Sequence, residues 1–337
     1  MALTGIAFSR AKRRKQIFVA TSSVGPGSTN MLTAAAVAMS NRLPMLFLPG
    51  DTYANRMPDP VLQQVEHFNN PNITQNDAFK YVTRYFDRIT RPEQILQTFP
   101  QAIQTMIDPA DCGPACISLS QDVQGETFDY PEEFFNEKIH TIRRPRPDDY
   151  QIKQAADLIK KSKNPIIISG GGIFYSDAMK ELSQFAKKHN IPTAQTVMGY
   201  STMKKDDPYF LGAIGGFGGK APNDFMKKTD LAIAIGTKLA DFTTGSWTNF
   251  ENPNFKLVSI NVSRFDANKH MAQSIVGDAK VCIQDLTVAL GSWKASDEWY
   301  KKSRSAVKSW NNYLDKESGP TNPVSYTHLT LPTILLV

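Results

Sequence analysis

Along this chain, short apolar runs alternate with stretches whose apolar residues recur at helical spacing. Gln16 to Ser23 (QIFVATSS) is apolar and β-branched, Met31 to Ser40 is an alanine-rich helix former, and Pro44 to Pro49 (PMLFLP) is a second apolar run. Between the first run and the helix lies the turn Val24-Gly25-Pro26-Gly27-Ser28-Thr29-Asn30. Strand, turn, helix and strand in that order predict a βαβ unit whose strands are parallel and buried on both faces. In such sheets ligands meet the chain beyond the carboxyl ends of the strands, where this turn falls. Gly25 and Gly27 permit angles and approaches that a Cβ would block, Pro26 fixes one φ, and Ser28, Thr29 or Asn30 can cap the next helix. By pattern alone the turn reads as an ordinary βα connection before a ligand-facing one, since glycine-rich turns are common where a strand meets a helix.

On either side the patterning continues. Met1 to Lys15 reads as most of a helix with Leu3, Ile6 and Ala7 on one side; it opens without a cap, so the start looks cut. Asp59 and Pro60 predict the N-cap and first residue of a helix through about Phe68. Tyr81 to Ile89 has strand character, and Thr90-Arg91-Pro92-Glu93 spaces a capping box ahead of Ile95, Phe99, Ile103 and Met106, a helix that Pro100 should kink. Ala115 to Ser120 (ACISLS) predicts another buried strand. Gly125 to Asp149 shifts to acidic, aromatic and then proline- and arginine-rich composition, which sets a first domain over 1–135, a linker over 136–150 and a second domain over 151–292. The second domain has strands near Pro165 to Ser169, Ile191 to Thr196, Leu231 to Ile235 and Leu257 to Val262. Helices fall between them, such as Ser176 to His189 with Leu182, Phe185 and Ala186 on one face. The fold class is therefore α/β, with two doubly wound parallel sheets, the second Rossmann-like. Asp297 to Leu314 is an amphipathic helix carrying Trp299, Tyr300, Val307 and Trp310, and Ser325 to Val337 fits neither domain and reads as a non-native tail.

Composition narrows the function. The 337 residues give room for two cores, and the net charge of +6 leaves an acidic partner open. Positive charge clusters only at Arg10 to Lys15 and Arg143 to Pro147, which a helix face and a linker explain, so no nucleic-acid partner is expected. Cys112, Cys116 and Cys282 cannot build a disulfide framework, and a cytoplasmic location follows as the expectation. No apolar run reaches the length of a membrane span, and no membrane partner is expected.

Four segments share a further likeness. VGPGSTN, Gly50 to Phe68 (GDTYANRMPDPVLQQVEHF), Asn76 to Gln94 (NDAFKYVTRYFDRITRPEQ) and Gly113 to Tyr130 (GPACISLSQDVQGETFDY) resemble the thiamine-diphosphate-dependent enzymes related to acetolactate synthase. The similarity runs from Met1 to about Leu290, and DPVLQQ, RYFDRITRPEQ and Asp51-Thr52-Tyr53 point to the branch that opens a cyclic polyol diketone in inositol breakdown. That resemblance implies a truncated pyrimidine-binding domain, a central domain, and residues 293–320 leading toward a diphosphate-binding domain. It also implies thiamine diphosphate with Mg2+ in the full-length family, and self-association as a dimer or tetramer. On this chain Pro26 and Asn30, with Gly25 and Gly27, would line the pyrimidine ring of a cofactor held mainly by a neighbouring subunit, and Asp51 would face the substrate side. The family's proton-handling Glu would lie upstream of Met1, since no Glu precedes Glu66 and no Asp precedes Asp51. Gly277-Asp278-Ala279 and Asn311-Asn312 only imitate the family's metal motif, because the second glycine is missing and the spacing is too long. The chain alone is thus expected to lack the Mg2+ site and to be inactive.

Other motifs carry less. Gly216 to Ala221 (GFGGKA) fits G-x-G-x-x-A with Asp241 downstream; the glycines read as a tight loop, with a nucleotide-binding module as the alternative reading. Gly170-Gly171-Gly172 suggests a turn of close backbone approach. The histidines His67, His140, His189, His270 and His328 are dispersed, and neither H-E-x-x-H nor G-x-S-x-G occurs. Arg84, Arg88 and Arg91 suit an anion or, more simply, ion pairs with Asp87 and Glu93.

Overall fold

The computed structural model describes residues 1–55 and 59–317; the tail reading of 325–337 and the end of the 293–320 segment lie outside the described residues. The chain divides into two compact units, Met1–Arg143 and Arg144 onward.

The first unit is wound around β1 (Val19–Ser22), β2 (Leu46–Asp51), β3 (Tyr85–Ile89) and β4 (Ala115–Ser120), in the spatial order β1-β2-β4-β3. All of its pairings are parallel, with Ala20 opposite Phe47 and Asp51 opposite Ser120. Its helices are α1 (Ala2–Ala11), α2 (Pro26–Thr29), α3 (Leu32–Asn41) and α4 (Ile95–Ile107). Leu46, Ile89, Ala102, Met106, Ala115, Ile117 and Val123 form a core between β2, β3, β4 and α4.

Several expectations are corrected here. On α1 the inward stripe is Gly5, Ile6 and Ser9 rather than Leu3, Ile6 and Ala7. Gly5 sets this face, because a Cβ there would lie 2.8 Å from Met45 Cε. Asp59-Pro60 opens no helix. The Gln64 carboxamide takes the Val61 N–H at 3.0 Å and Gln63 has φ 68°, which turns the chain out of any helical path. The strand expected from Tyr81 begins at Tyr85, since Gln75–Tyr81 is a 3-10 helix capped reciprocally by Thr74 and Asp77. Ahead of α4 the capping group is Gln94, not Glu93: its Oε1 accepts from Thr90 N at 2.7 Å and Arg91 N at 2.9 Å. The helix then runs through Pro100 to Ile107 and buries Thr98, Ala102 and Met106, while Phe99 stays exposed.

The second unit holds a six-stranded sheet: β5 (Pro165–Ser169), β6 (Thr193–Gln195), β7 (Phe210–Ala213), β8 (Leu231–Ile235), β9 (Lys256–Asn261) and β10 (Gln273–Val276). The order β10-β9-β8-β5-β6-β7 is that of a Rossmann-type sheet, with its topological switch between β5 and β8. Around it lie α5 (Asp149–Lys161), α6 (Gly171–Tyr175), α7 (Met179–His189), α8 (Lys220–Met226), α9 (Asp241–Thr244), α10 (Arg264–Ala267), α11 (Ala279–Leu290) and α12 (Asp297–Glu317). β5 and β8 are buried along their whole length. Ile167 and Ile233 pack on one face of the sheet and Ile166, Ile168, Ala232 and Ala234 on the other, the alternation a doubly covered parallel strand requires. α12 is anchored by Trp299, whose Nε1–H donates to the Pro165 carbonyl at 2.8 Å. Among the described residues no helix is long and apolar enough to cross a membrane.

Candidate functional site

The turn after β1 is itself helical. Gly25 stands at its start with φ 77°, and the N–H groups of Thr29 and Asn30 reach the carbonyls of Gly25 and Pro26, both at 3.1 Å. Pro26 and Asn30 therefore sit one helical turn apart on the same side of α2, and both are exposed. Ser28 and Thr29 do not cap α3, contrary to expectation. Their hydroxyls donate back to Gly25 O at 3.2 Å and Pro26 O at 3.1 Å, and α3 starts behind Met31 with no side-chain cap. The glycines serve the chain's own packing: a Cβ on Gly25 would lie 1.9 Å from Gln63 O, and one on Gly27 would lie 3.2 Å from Ser23 Oγ. The turn thus leaves a proline ring and a primary amide, one helical turn apart, exposed at the carboxyl end of β1.

Asp51, which the resemblance puts on the substrate side, ends β2 and is 0% exposed. Its Oδ2 accepts from Arg88 Nε at 2.7 Å and Ser118 Oγ at 2.5 Å, and its Oδ1 from Thr52 N at 2.8 Å. Arg88 Nη2 also reaches Thr74 Oγ1 at 2.9 Å and Asp77 Oδ1 at 3.0 Å, and Lys80 pairs with Asp77 at 2.8 Å. Arg88 is thus paired with Asp51 and Asp77, not with Asp87, whose carboxylate holds the Arg88 N–H and the Thr98 hydroxyl. Arg91 does pair with Glu93, at 3.5 Å on the surface.

Burial acts to lower the Arg88 guanidinium, but the hydrogen bond and charge of Asp51, followed by Asp77, outweigh it and raise its pKa. Partial burial likewise pushes Asp77 up, and Lys80, the Thr74 N–H and Arg88 together bring it below the usual carboxylate value. Burial, reinforced by Asp51, drives the Cys116 thiol well above its ordinary range, and burial with Asp278 and Asp285 pushes Cys282 up to about 12. These thiols stay protonated and unreactive.

Asn76, Ser118 and Thr74 complete this network and were missed by the reading of the sequence. Asn76 Nδ2 donates to Ser118 Oγ at 2.7 Å and to Gly50 O at 2.9 Å. Thr74 and Asp77 had a legible signal in their capping spacing, whereas nothing local distinguishes Asn76 or Ser118.

The glycine motifs of the second unit are occupied by the chain itself. β7 precedes GFGGKA and α8 follows it, the context a dinucleotide motif needs. Yet the N–H groups of Gly216, Gly218 and Gly219 are bonded to Phe242 O at 2.8 Å, Gly215 O at 2.9 Å and Ala213 O at 2.9 Å. The loop is a tight turn whose three glycine amides bond within the chain, and Asp241 accepts from Ser246 Oγ at 2.8 Å. At the switch point Gly170 N donates to Ile235 O and Gly172 N to Gly236 O, both at 2.9 Å. A Cβ on Gly172 would lie 2.5 Å from Gly236 Cα, so the two turns close the crevice by backbone contact. Asp278 caps α11 through Lys280 N at 3.0 Å and also takes Ser176 Oγ at 2.8 Å and Arg144 Nη1 at 3.1 Å. Asn311 and Asn312 are exposed on α12. Among the described residues no group of three or more His, Cys, Asp or Glu is placed to hold a metal ion.

Residues 152–286, which carry the Rossmann-type sheet, match the family model described as thiamine pyrophosphate enzyme, central domain. The chain as a whole is similar to 3D-(3,5/4)-trihydroxycyclohexane-1,2-dione hydrolase of Clostridium perfringens, at 45% identity over 316 residues, 94% of this chain and 50% of the relative. Proteins of the same name from Clostridium botulinum and Geobacillus thermodenitrificans are 44% and 43% identical, each matched over 94% of this chain and 49% of the relative. The chain spans about half the length of the curated relatives it matches.

Proposed function

We propose that this chain contributes the pyrimidine wall and the central domain of a thiamine-diphosphate-dependent hydrolase that opens the ring of 3D-trihydroxycyclohexane-1,2-dione in inositol catabolism. The observation that carries the reading is the exposed Pro26–Asn30 pair at the carboxyl end of β1, in a chain 45% identical to hydrolases of that name. Bound thiamine diphosphate would supply the electron sink for cleavage of the C–C bond beside a carbonyl. The role of this chain is to hold the pyrimidine side: the ring of Pro26 packs on one face and the Asn30 amide borders it. Mg2+ would be held by residues of the longer protein, self-association would bring a diphosphate-binding domain to this wall, and buried thiols suit a cytoplasmic protein. Asp51 bears on substrate only through the groups it positions.

The test is a chimera in which these residues replace the matching half of the Clostridium perfringens relative. Ring opening is expected with thiamine diphosphate and Mg2+, falling at least about tenfold in Asn30→Ala. An active chimera indifferent to both Pro26 and Asn30 would remove the proposed wall, and turnover of a different 2-oxo substrate alone would favour another acetolactate-synthase-like lyase. The nucleotide-module reading is disfavoured by the backbone bonds that the Gly216, Gly218 and Gly219 amides of its loop already make; no micromolar binding of NAD or FAD is expected.

A further inference from the structure

The polar network at the carboxyl ends of β2, β3 and β4 does more than pair charges. Asn76 is 0% exposed, and its Nδ2 donates to both Ser118 Oγ, at 2.7 Å, and Gly50 O, at 2.9 Å. Ser118 passes the connection to Asp51, which Arg88 ties to Asp77 and Thr74 at the start of the Gln75–Tyr81 helix. Gly50 in turn lies against the backbone entering the proline turn: a Cβ on it would sit 3.4 Å from Val24 N and 3.6 Å from Ser22 O. The Gln75–Tyr81 helix also packs on α2 and α3. One buried amide therefore joins a charge-balanced cluster, Asp51 and Asp77 against Arg88 and Lys80, to the backbone that fixes where Pro26 and Asn30 stand.

We infer that Asn76 is a positioning residue for the pyrimidine wall, with Ser118 and the Asp51–Arg88 pair as its anchor. This deepens the proposed function and rests on it for the identity of the ligand, but the coupling between Asn76 and the turn does not. A buried amide whose two hydrogens are both used resists displacement, because leaving either acceptor bare is unfavourable. An apolar residue of similar size would fill the space without fixing Gly50.

Hydrogen exchange of the whole chain, read amide by amide, tests this. In Asn76→Ala the N–H groups of Thr29, Asn30 and Met31 should exchange about tenfold faster, the equivalent of one lost hydrogen bond, while those of Ile117 on β4 and Ile233 on β8 keep their rates. Ser118→Ala, which removes a single hydroxyl, should act in the same direction and more weakly. Unchanged rates at the turn in both variants, or uniform acceleration across the first unit, would overturn the inference. Adding thiamine diphosphate with Mg2+ to the unsubstituted chimera separates the two ideas: failure to protect the turn counts against the ligand, whereas the effect of Asn76→Ala without it still upholds the positioning role. In the chimera, Asn76→Ala should raise the thiamine diphosphate concentration for half-maximal turnover by a larger factor than it lowers kcat.

Discussion

The two sheets share one design, parallel strands buried between helices, and differ at their carboxyl ends. In the first unit that end holds a buried ion pair, Asp51–Arg88, bonded to hydroxyls and an amide, and beside it the turn of Pro26 and Asn30 faces outward. In the second, the equivalent place is closed by glycine turns whose N–H groups bond to the backbone of the neighbouring turn. A parallel α/β topology offers a ligand site at this edge but does not oblige the chain to use it. Bonded polar side chains build the first edge, whereas between β5 and β8 of the second the glycine turns bond to each other's backbone.

Substitutions can break this contrast from either side. The largest effect is expected for Arg88→Met, which strands the wholly buried Asp51 carboxylate and should cost about 3–5 kcal/mol in urea denaturation. A loss below about 1 kcal/mol would mean that the pair is structurally idle. Next comes Gly236→Ala in the second unit. Its φ of 62° and the 2.5 Å approach of its Cβ to Gly172 Cα predict a loss of about 1–3 kcal/mol from the backbone alone, with further loss from the clash. A neutral result would show that the crevice can open.

Acid should separate the units by smaller amounts. Asp77 has a lowered pKa in the fold, so the unfolded chain binds its proton first on acidification; the stabilisation is complete above the ordinary carboxylate range and is lost as pH falls below about 4. His189, in the second unit, is buried with Nδ1 toward Trp293 O at 2.8 Å and no partner for Nε2. Burial lowers its pKa, so it too is protonated first in the unfolded chain, and stability should begin to fall as pH drops through about 6.5. Urea midpoints measured against pH should lose the acid step in Asp77→Asn and the near-neutral step in His189→Gln. Both steps persisting in both variants would place the titrations elsewhere.

Much of this was legible in advance. PIIIS, LAIAI and ACISLS are continuous apolar runs bounded by turn residues, and each became a strand at the expected place. β7 and β10 escaped notice because FLGA and QSIV are short, half-buried edge strands with weak patterning. Asp59-Pro60 carried a helix-start signal that the left-handed Gln63 overrode, and that residue is held by its approach to Gly25, which no local pattern reveals. The turn itself was readable from its glycines and proline. Its buried support was not, because Asn76 and Ser118 meet Asp51 only after two strands and a 3-10 helix have come together.

The most direct test of the central claim is amide-resolved hydrogen exchange of the chimera with and without thiamine diphosphate and Mg2+. Protection centred on Gly25, Gly27, Thr29 and Asn30, and abolished by Asn30→Ala, is the predicted result. Protection centred instead on Gly170 to Gly172 and Gly236, with the proline turn unchanged, would contradict it.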